Sequence, residues 1–339
     1  MKAAVQYGPG DVRVEDSPEP QPGPGEVKVK IEYCGVCGSD LEIFAGTFGL
    51  MKTDGWPKGP KIEGHEASGT IVALGSGVEQ GYHVGQRVAM NFRSSCGACY
   101  YCRNMMEHFC EHVIMGSGAF AEYAVYKESA IYPLPDAVSF ERGALLEPLT
   151  VALHVTDLAG IKTGSSVAIS GGGTIGLLTI QMAVRSGAAP LMVSEPVAGK
   201  RELALRFGAD AAVDPTSDDL VARGMELTQG RGFDTVIEAS GNLRAATQAL
   251  DLVGKCGTVI WAGVYPDQAT IPVRPFDMYA GELTIKSAMV SPYSFPRSIS
   301  LLPKLDLDPI VTHTYALSDI VEAFENHKKG QAIKTLIRP

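Results

Sequence analysis

The sequence predicts an α/β protein in two parts, a β-rich part and a doubly wound parallel sheet. Three observations carry that expectation. Residues 1–150 hold short alternating apolar segments set off by glycines and prolines. From about residue 151, apolar runs of strand length alternate with helix-length segments. The first of those runs leads through Gly171-Gly172-Gly173-Thr174-Ile175-Gly176 into a helix. At 339 residues, two domains are the expectation.

Val27-Lys28-Val29-Lys30-Ile31 alternates with period two and reads as a strand with one buried face. Thr70–Leu74 and Gln86–Met90 are short strands bounded by glycines. Pro18 to Gly25 holds four prolines and two glycines and reads as a loop. Such pieces suggest a barrel or sandwich. Further on, Ser166–Ser170, Pro190–Ser194, Ala212-Val213, Thr235–Ile237, Gly257–Trp261 and Leu283–Lys286 are expected strands. Helices are expected over 177–186, 199–207, 218–228 and 243–253. A helix from Leu317 to Lys328 and a strand from Ile333 to Ile337 end the chain.

Lys and Arg total 29 against 38 Asp and Glu, a formal charge of −9. An acidic surface argues against nucleic acid or an anionic membrane as the main partner. The opening residues are too short an apolar run for a signal peptide, and no stretch approaches the length of a membrane span. The expected location is the cytoplasm, where thiols stay reduced.

Four of the seven cysteines, Cys96, Cys99, Cys102 and Cys110, fall in one short run. The spacing Cys-x2-Cys-x2-Cys-x7-Cys fits a closed tetrahedral zinc site. An iron–sulfur cluster is the rival, and two disulfides the weaker one. His108 and His112 nearby read as surface residues, because four thiolates already fill the shell.

The glycine turn fits G-x-G-x-x-G, and Glu195 follows Gly176 by nineteen residues at the end of the next strand. Glycines let backbone approach a pyrophosphate, the helix N-terminus faces the phosphates, and the carboxylate takes a ribose 2′-hydroxyl. A carboxylate there disfavours a 2′-phosphate, so the expected cofactor is NAD. The bland alternative is a structural turn with a surface Glu.

Three further segments stand out: Cys34-Gly35-Val36-Cys37-Gly38-Ser39-Asp40, Gly64-His65-Glu66 and Leu146-Glu147-Pro148-Leu149. A Cys, a His and a carboxylate can hold zinc while leaving a position open. The residues alone equally allow a buried thiol, a core histidine and surface charges. Cys34 and Cys37 also allow a redox dithiol.

With these motifs in this order, the chain resembles the zinc-dependent medium-chain alcohol dehydrogenases, and among them the polyol, sorbitol-type branch. Tyr132-Pro133-Leu134-Pro135-Asp136, Glu238-Ala239-Ser240-Gly241 and Ala332-Ile333-Lys334 add to the likeness, which spans essentially the whole length. The resemblance implies a GroES-like catalytic domain from residues 1–150 and 290–339, with a structural zinc lobe at about 91–115. It implies a Rossmann NAD-binding domain over 151–289 and a homodimer or homotetramer. Cys37, His65 and Glu66 match the catalytic zinc ligands, and Glu147 the position that ligates zinc or holds its water. Asp40 matches the carboxylate that orients the zinc-bound histidine, and Ser39 the start of a proton relay. Cofactor contacts are implied at Gly171, Gly173, Thr174, Ile175 and Gly176. Glu195 and Lys200 match the adenosine ribose, and Gly241, Gly263 and Val264 the same cofactor. Lys334 matches a cation at the pyrophosphate.

Two positions depart from the family pattern. The usual relay histidine is Glu42 here. Sorbitol-type members carry an Arg-aromatic pair after the last Rossmann strand, whereas this chain has Val290 and Ser291, with Arg297 a few residues on. The expected activity is oxidation of a secondary alcohol on a polyol, sugar or cyclitol, with zinc and NAD+. A threonine-type amino-alcohol dehydrogenase is the alternative. A non-catalytic nucleotide-binding relative is the third reading, and the retained ligand set weighs against it.

Overall fold

The computed structural model describes residues 1–48, 59–79, 81–330 and 332–339. Two compact units result: Met1–Pro148 with Pro292–Pro339, and Leu149–Ser291.

The first unit opens with β1 (Lys2–Gly8), β2 (Asp11–Asp16), β3 (Glu26–Gly35) and helix α1 (Gly38–Ala45). Then come β4 (Lys61–Ile62), β5 (Glu66–Leu74), β6 (Arg87–Met90) and β7 (Arg93–Ser94). The short helix α2 (Tyr100–Arg103), β8 (Ile114–Met115), β9 (Tyr123–Lys127), β10 (Ile131–Pro133), α3 (Phe140–Gly143) and α4 (Leu146–Ala159) follow. The alternation of β3 holds in part only. Val27, Val29 and Ile31 are buried, but so is Lys28. Lys28 survives there because its ammonium pairs with Glu19 and lies 4.9 Å from the Tyr123 ring centre. Residues 49–58, which follow α1, lie outside the described residues.

The second unit alternates strand and helix: β11 (Val167–Ser170), α5 (Thr174–Arg185), β12 (Leu191–Ser194), α6 (Ala198–Arg206), β13 (Ala211–Val213) and α7 (Leu220–Leu227). β14 (Phe233–Glu238), α8 (Leu243–Leu252), β15 (Val253–Trp261), α9 (Pro275–Gly281) and β16 (Thr284–Ser287) complete it. The strands pair in parallel in the order β13-β12-β11-β14-β15-β16. That is a doubly wound sheet whose order reverses between β11 and β14. Every residue of β11 and β12 is buried, as strands covered on both faces require. α5 starts earlier than its apolar run suggests, because the glycine turn enters the helix directly with Gly173 as N-cap. Asn242 caps α8 by accepting from the Arg244 and Ala245 N–H groups at 2.9 and 3.3 Å.

The chain returns to the first unit with α10 (Phe295–Leu301), β17 (Val311–Ala316), α11 (Ile320–Lys328) and β18 (Lys334–Arg338). There β18 lies against β3, in a seven-stranded sheet of order β10-β6-β5-β3-β18-β17 with β9 also on β3. The C-terminus therefore completes the sheet that carries Cys34, Gly35 and Glu66. Val27, Val29, Ile31, Ile71, Phe120 and Phe324 are among the residues of its core.

Candidate active site

Cys37 is the N-cap of α1. Asp40, at the third helical position, accepts from the Cys37 N–H at 2.8 Å through Oδ2. This reciprocal cap fixes the thiol at the mouth of the helix. The other Asp40 oxygen, Oδ1, lies 3.4 Å from His65 Nδ1. It is buried and makes no hydrogen bond among the described residues. One carboxylate thus sets both the Cys37 backbone and the face of the His65 ring.

His65 directly precedes β5, and Glu66 is its first residue. Gly64 makes that approach possible. Its φ is +93°, and a Cβ there would stand 2.9 Å from Cys34 Sγ, Phe120 Cγ and the Phe120 amide nitrogen. Gly35, opposite Glu66 across the β3–β5 ladder, is equally constrained, since a Cβ would come within 2.0 Å of Glu66 Oε2. Donor atoms of Cys37, His65 and Glu66 all lie within 4.8 Å of one another. A thiol, an imidazole and a carboxylate at that spacing fit zinc. With Asp40 facing Nδ1, the ring's Nε2 is the nitrogen left for a metal.

Burial alone would lower the His65 pKa, but the facing Asp40 carboxylate and Cys37 outweigh it and hold the imidazole well above its usual value. Glu147, in the first turn of α4, is buried too. It is not in the mutually close trio. Burial pushes its carboxyl up to about 7, with His65 and Lys334 pulling down and Glu66 and Asp40 pushing up. Lys334 differs most from expectation. Its side chain is buried, and its ammonium donates to Glu66 Oε1 and Oε2 at 2.8 and 2.6 Å and to the Val36 carbonyl at 2.9 Å. All three of its protons are engaged within this unit, so the ammonium is not laid out for a pyrophosphate. Burial disfavours its charge, but Glu66 outweighs that and raises its pKa. Ser39 and Glu42 both stand on α1, half-buried, and burial raises the Glu42 pKa. Cys34, the second thiol of the dithiol alternative, is fully buried. Burial pushes its thiol well up, the reverse of what exchange chemistry needs.

The sulfurs of Cys96, Cys99, Cys102 and Cys110 form a second group within 4.8 Å, and all four are free thiols. Cys102 Sγ lies 3.9 Å from Cys96 Sγ and 3.5 Å from Cys99 Sγ. A single ion with bonds of about 2.3 Å wants sulfurs about 3.8 Å apart, so the group fits one zinc rather than a multi-iron cage. The Ala98 and Cys99 N–H groups donate to Cys96 Sγ at 3.4 and 3.3 Å, and those of Cys96 and His112 to Cys110 Sγ at 3.3 and 3.4 Å. Backbone donors lower the Cys96 pKa and take Cys99 to about 6, which favours thiolate. Glu107 joins this lobe to the returning chain: its Oε2 accepts from Ser95 Oγ at 3.0 Å and its Oε1 from the Tyr293 N–H at 2.7 Å. The Tyr293 hydroxyl donates to the Cys102 carbonyl at 3.1 Å.

In the second unit the carboxyl ends of β11, β12 and β14 lie level, Ser170 beside Ser194 and Glu238. Gly176 packs flush on the turn, since a Cβ would come within 1.9 Å of the Gly171 carbonyl oxygen. Gly171 needs its φ of +104°. A Cβ on Gly173 would meet nothing within 4 Å, which leaves the turn open where a phosphate would lie. Thr174 and Ile175 begin α5. Glu195 accepts from the Gly172 N–H at 2.6 Å through Oε2 and from the Val197 N–H at 2.9 Å through Oε1. Lys200 Cβ would sit 3.2 Å from a Cβ on Gly172, so that lysine packs against the turn. The arrangement fits a dinucleotide with a 2′-hydroxyl.

Glu238, Ser240 and Tyr265 carry no individual role in the sequence reading, although Gly241, Gly263 and Val264 beside them are expected cofactor contacts. Glu238 is fully buried. Its Oε1 accepts from the Ser240 N–H at 2.7 Å and from the Ser240 hydroxyl, its Oε2 from the Gly241 N–H at 3.2 Å and from the Tyr265 hydroxyl. A Cβ on Gly263 would lie 2.6 Å from Glu238 Oε2, and one on Gly241 2.6 Å from the Val264 carbonyl oxygen. The available signal was a carboxylate ending an otherwise apolar strand. Past β16, Val290 has a φ of +49°, and the Ser291 hydroxyl donates to Thr150 Oγ1 at 2.7 Å. No helix among the described residues is long and apolar enough to cross a membrane.

Residues 23–136 match the alcohol dehydrogenase GroES-like domain, and residues 174–304 match the zinc-binding dehydrogenase domain. An L-threonine 3-dehydrogenase of Pyrococcus horikoshii is 38% identical over 89% of this chain and 87% of its own. A sorbitol dehydrogenase of Halalkalibacterium halodurans is 35% identical over 100% of this chain and 99% of its own. The solved structure of a candidate zinc-binding dehydrogenase from Clostridium scindens superposes with a TM-score of 0.93 at 33% identity, covering 100% of this chain and 99% of that one. The chain belongs to the zinc-dependent medium-chain alcohol dehydrogenase family.

Proposed function

We propose that the protein oxidises a secondary alcohol on a polyol, sugar or cyclitol, with one catalytic zinc, one structural zinc and NAD+. The observation that carries the reading is the convergence of Cys37, His65 and Glu66 donor atoms within 4.8 Å, with Cys37 at the N-cap of α1. Zinc held there would supply Lewis-acid polarisation of the alcohol, and bound NAD+ would supply the hydride acceptor. Asp40 holds the His65 ring and the Cys37 backbone in place. Lys334 balances the charge of Glu66 inside the protein. Glu147, raised to about 7, exchanges a proton near neutral pH beside the substrate position. Ser39 and Glu42 carry that proton outward along α1. Glu195 takes the adenosine ribose diol, and the turn from Gly171 to Gly176 takes the pyrophosphate, flanked by Lys200. Gly241, Gly263 and Val264 serve the nicotinamide half. Cys96, Cys99, Cys102 and Cys110 hold the structural zinc.

Residues 1–150 and 290–339 form the catalytic domain and 151–289 the NAD-binding domain. The protein works in the cytoplasm as a homodimer or homotetramer. Its acidic charge and free thiols support that location. The second reading is an L-threonine-type dehydrogenase, favoured by the similarity to the Pyrococcus protein. Threonine brings an ammonium and a carboxylate, whereas Val290 carries no charge and the Ser291 hydroxyl is already bonded to Thr150. Initial rates with NAD+ across hexitols, pentitols, inositols, 2,3-butanediol and threonine decide. Turnover of a polyol or cyclitol with threonine inert is the expected result; turnover of threonine alone assigns the second reading.

A further inference from the structure

Resting on the NAD reading above, we propose that Glu238 is a positioning residue that builds the nicotinamide half of the cofactor site. Its carboxylate clips the turn after β14 to the loop after β15. Ligands of a doubly wound sheet lie beyond the carboxyl ends of its strands, astride the point where the order reverses. That point here lies between β11 and β14. Glu195 and the glycine turn occupy the β11–β12 side. The β14–β15 side is left for the other half of a dinucleotide, and Glu238 ends β14 on that side.

Glu238 collects donors from both sides of this second half. Ser240 and Gly241 belong to the turn after β14, and Tyr265 belongs to the loop after β15. The Glu238 carbonyl also accepts from the Ala262 and Gly263 N–H groups at 2.8 and 2.9 Å. The two segments touch backbone to backbone, since a Cβ on Gly263 would come within 2.3 Å of the Gly241 nitrogen. None of Ala239, Ala262 and Val264 in these segments is a buried apolar side chain, and Val264 is exposed. A buried carboxylate with four donors is therefore what fixes their spacing. A carboxamide cannot replace it. One end of an amide accepts, but the other presents N–H groups to the Ser240 or the Gly241 N–H, and a backbone N–H cannot turn round to accept. Tyr265 donates its hydroxyl proton to Glu238 Oε2, and burial and the facing carboxylate raise its pKa, so it keeps that proton.

The two halves of the site can be probed separately, because AMP engages only the Glu195 half. The experiment is titration of NADH and of AMP into wild type, Glu238→Gln and Tyr265→Phe, each checked for a folded state and for zinc content. We expect Glu238→Gln to weaken NADH by about tenfold or more and Tyr265→Phe to weaken it by a smaller factor, with AMP affinity and zinc content unchanged in both. Unchanged NADH affinity in either variant, or an equal loss of AMP, overturns the inference. Should Glu238→Gln not fold, the split between NADH and AMP in Tyr265→Phe decides alone. Failure of wild type to bind NADH is a different outcome and refutes the cofactor reading instead.

Discussion

Lys334 and Glu66, 268 residues apart in sequence, form a two-pronged ion pair at 2.8 and 2.6 Å, with both side chains almost fully buried. The pair ties the last strand, β18, to the first residue of β5, next to His65. A buried charge without a partner is far more costly than the pair itself. In the zinc-free protein, replacing Lys334 with Met strands Glu66 and is expected to lower unfolding stability by about 3–5 kcal/mol in chemical denaturation. Removing both charges, with Glu66→Gln added to Lys334→Met, is expected to restore part of that loss. An unshifted denaturation midpoint in the single variant contradicts the pairing.

Gly64→Ala probes the approach to His65. It places a Cβ 2.9 Å from the Phe120 backbone nitrogen at a φ of +93°. The expected cost is about 2 kcal/mol or more, since backbone cannot yield as a side chain does. Thermal unfolding within error of wild type would show that the strand entry relaxes freely.

The four-sulfur lobe leans on Tyr293, whose hydroxyl donates to the Cys102 carbonyl at 3.1 Å. Tyr293→Phe loses one hydrogen bond, about 1 kcal/mol. It is expected to speed release of the lobe metal to a chelator by about fivefold, while the other metal leaves at its wild-type rate. Equal acceleration of both metals would mean that Tyr293 supports the whole unit instead.

Glu195→Ala tests cofactor choice. The carboxylate accepts from Gly172 and Val197 and disfavours a 2′-phosphate. The ratio of kcat/KM for NADP+ over NAD+ is expected to rise about tenfold or more. A constant ratio removes Glu195 from the discrimination.

His154 on α4 gives a pH dependence of stability. Burial lowers its pKa from the usual 6.5, so the folded state favours the neutral ring. The unfolded chain takes up its proton first as pH falls. Stability from this group is full above pH 6.5 and is lost as pH drops through the lower folded value. His154→Gln should flatten the fall in stability between about pH 6.5 and 5. A slope identical to wild type would mean the ring titrates alike folded and unfolded.

Much of this was legible because it is local. The glycine turn, the spacing to Glu195 and the Cys96–Cys110 run are fixed by short-range geometry that a sequence displays. Strand–helix alternation after residue 151 reads off apolar periodicity for the same reason. Partnerships across long sequence distances are not displayed. Lys334 looked free for a pyrophosphate, yet the sheet that brings β18 to β3 delivers it to Glu66. Lys28 read as solvent-facing by alternation, yet Glu19 and Tyr123 cover it. Glu147 matches a position that ligates zinc or holds its water, and its donor atoms are not among the three mutually close ones. Glu238 and Tyr265 meet only because β14 and β15 are neighbours in the sheet.

We assign the working zinc to Cys37, His65 and Glu66. Metal analysis and NADH titration of Cys37→Ser, alongside alcohol oxidation, test that assignment most directly. Loss of one of two zinc ions per chain, loss of turnover, and NADH affinity within about twofold of wild type are expected. Two zinc ions retained together with undiminished alcohol oxidation would contradict it.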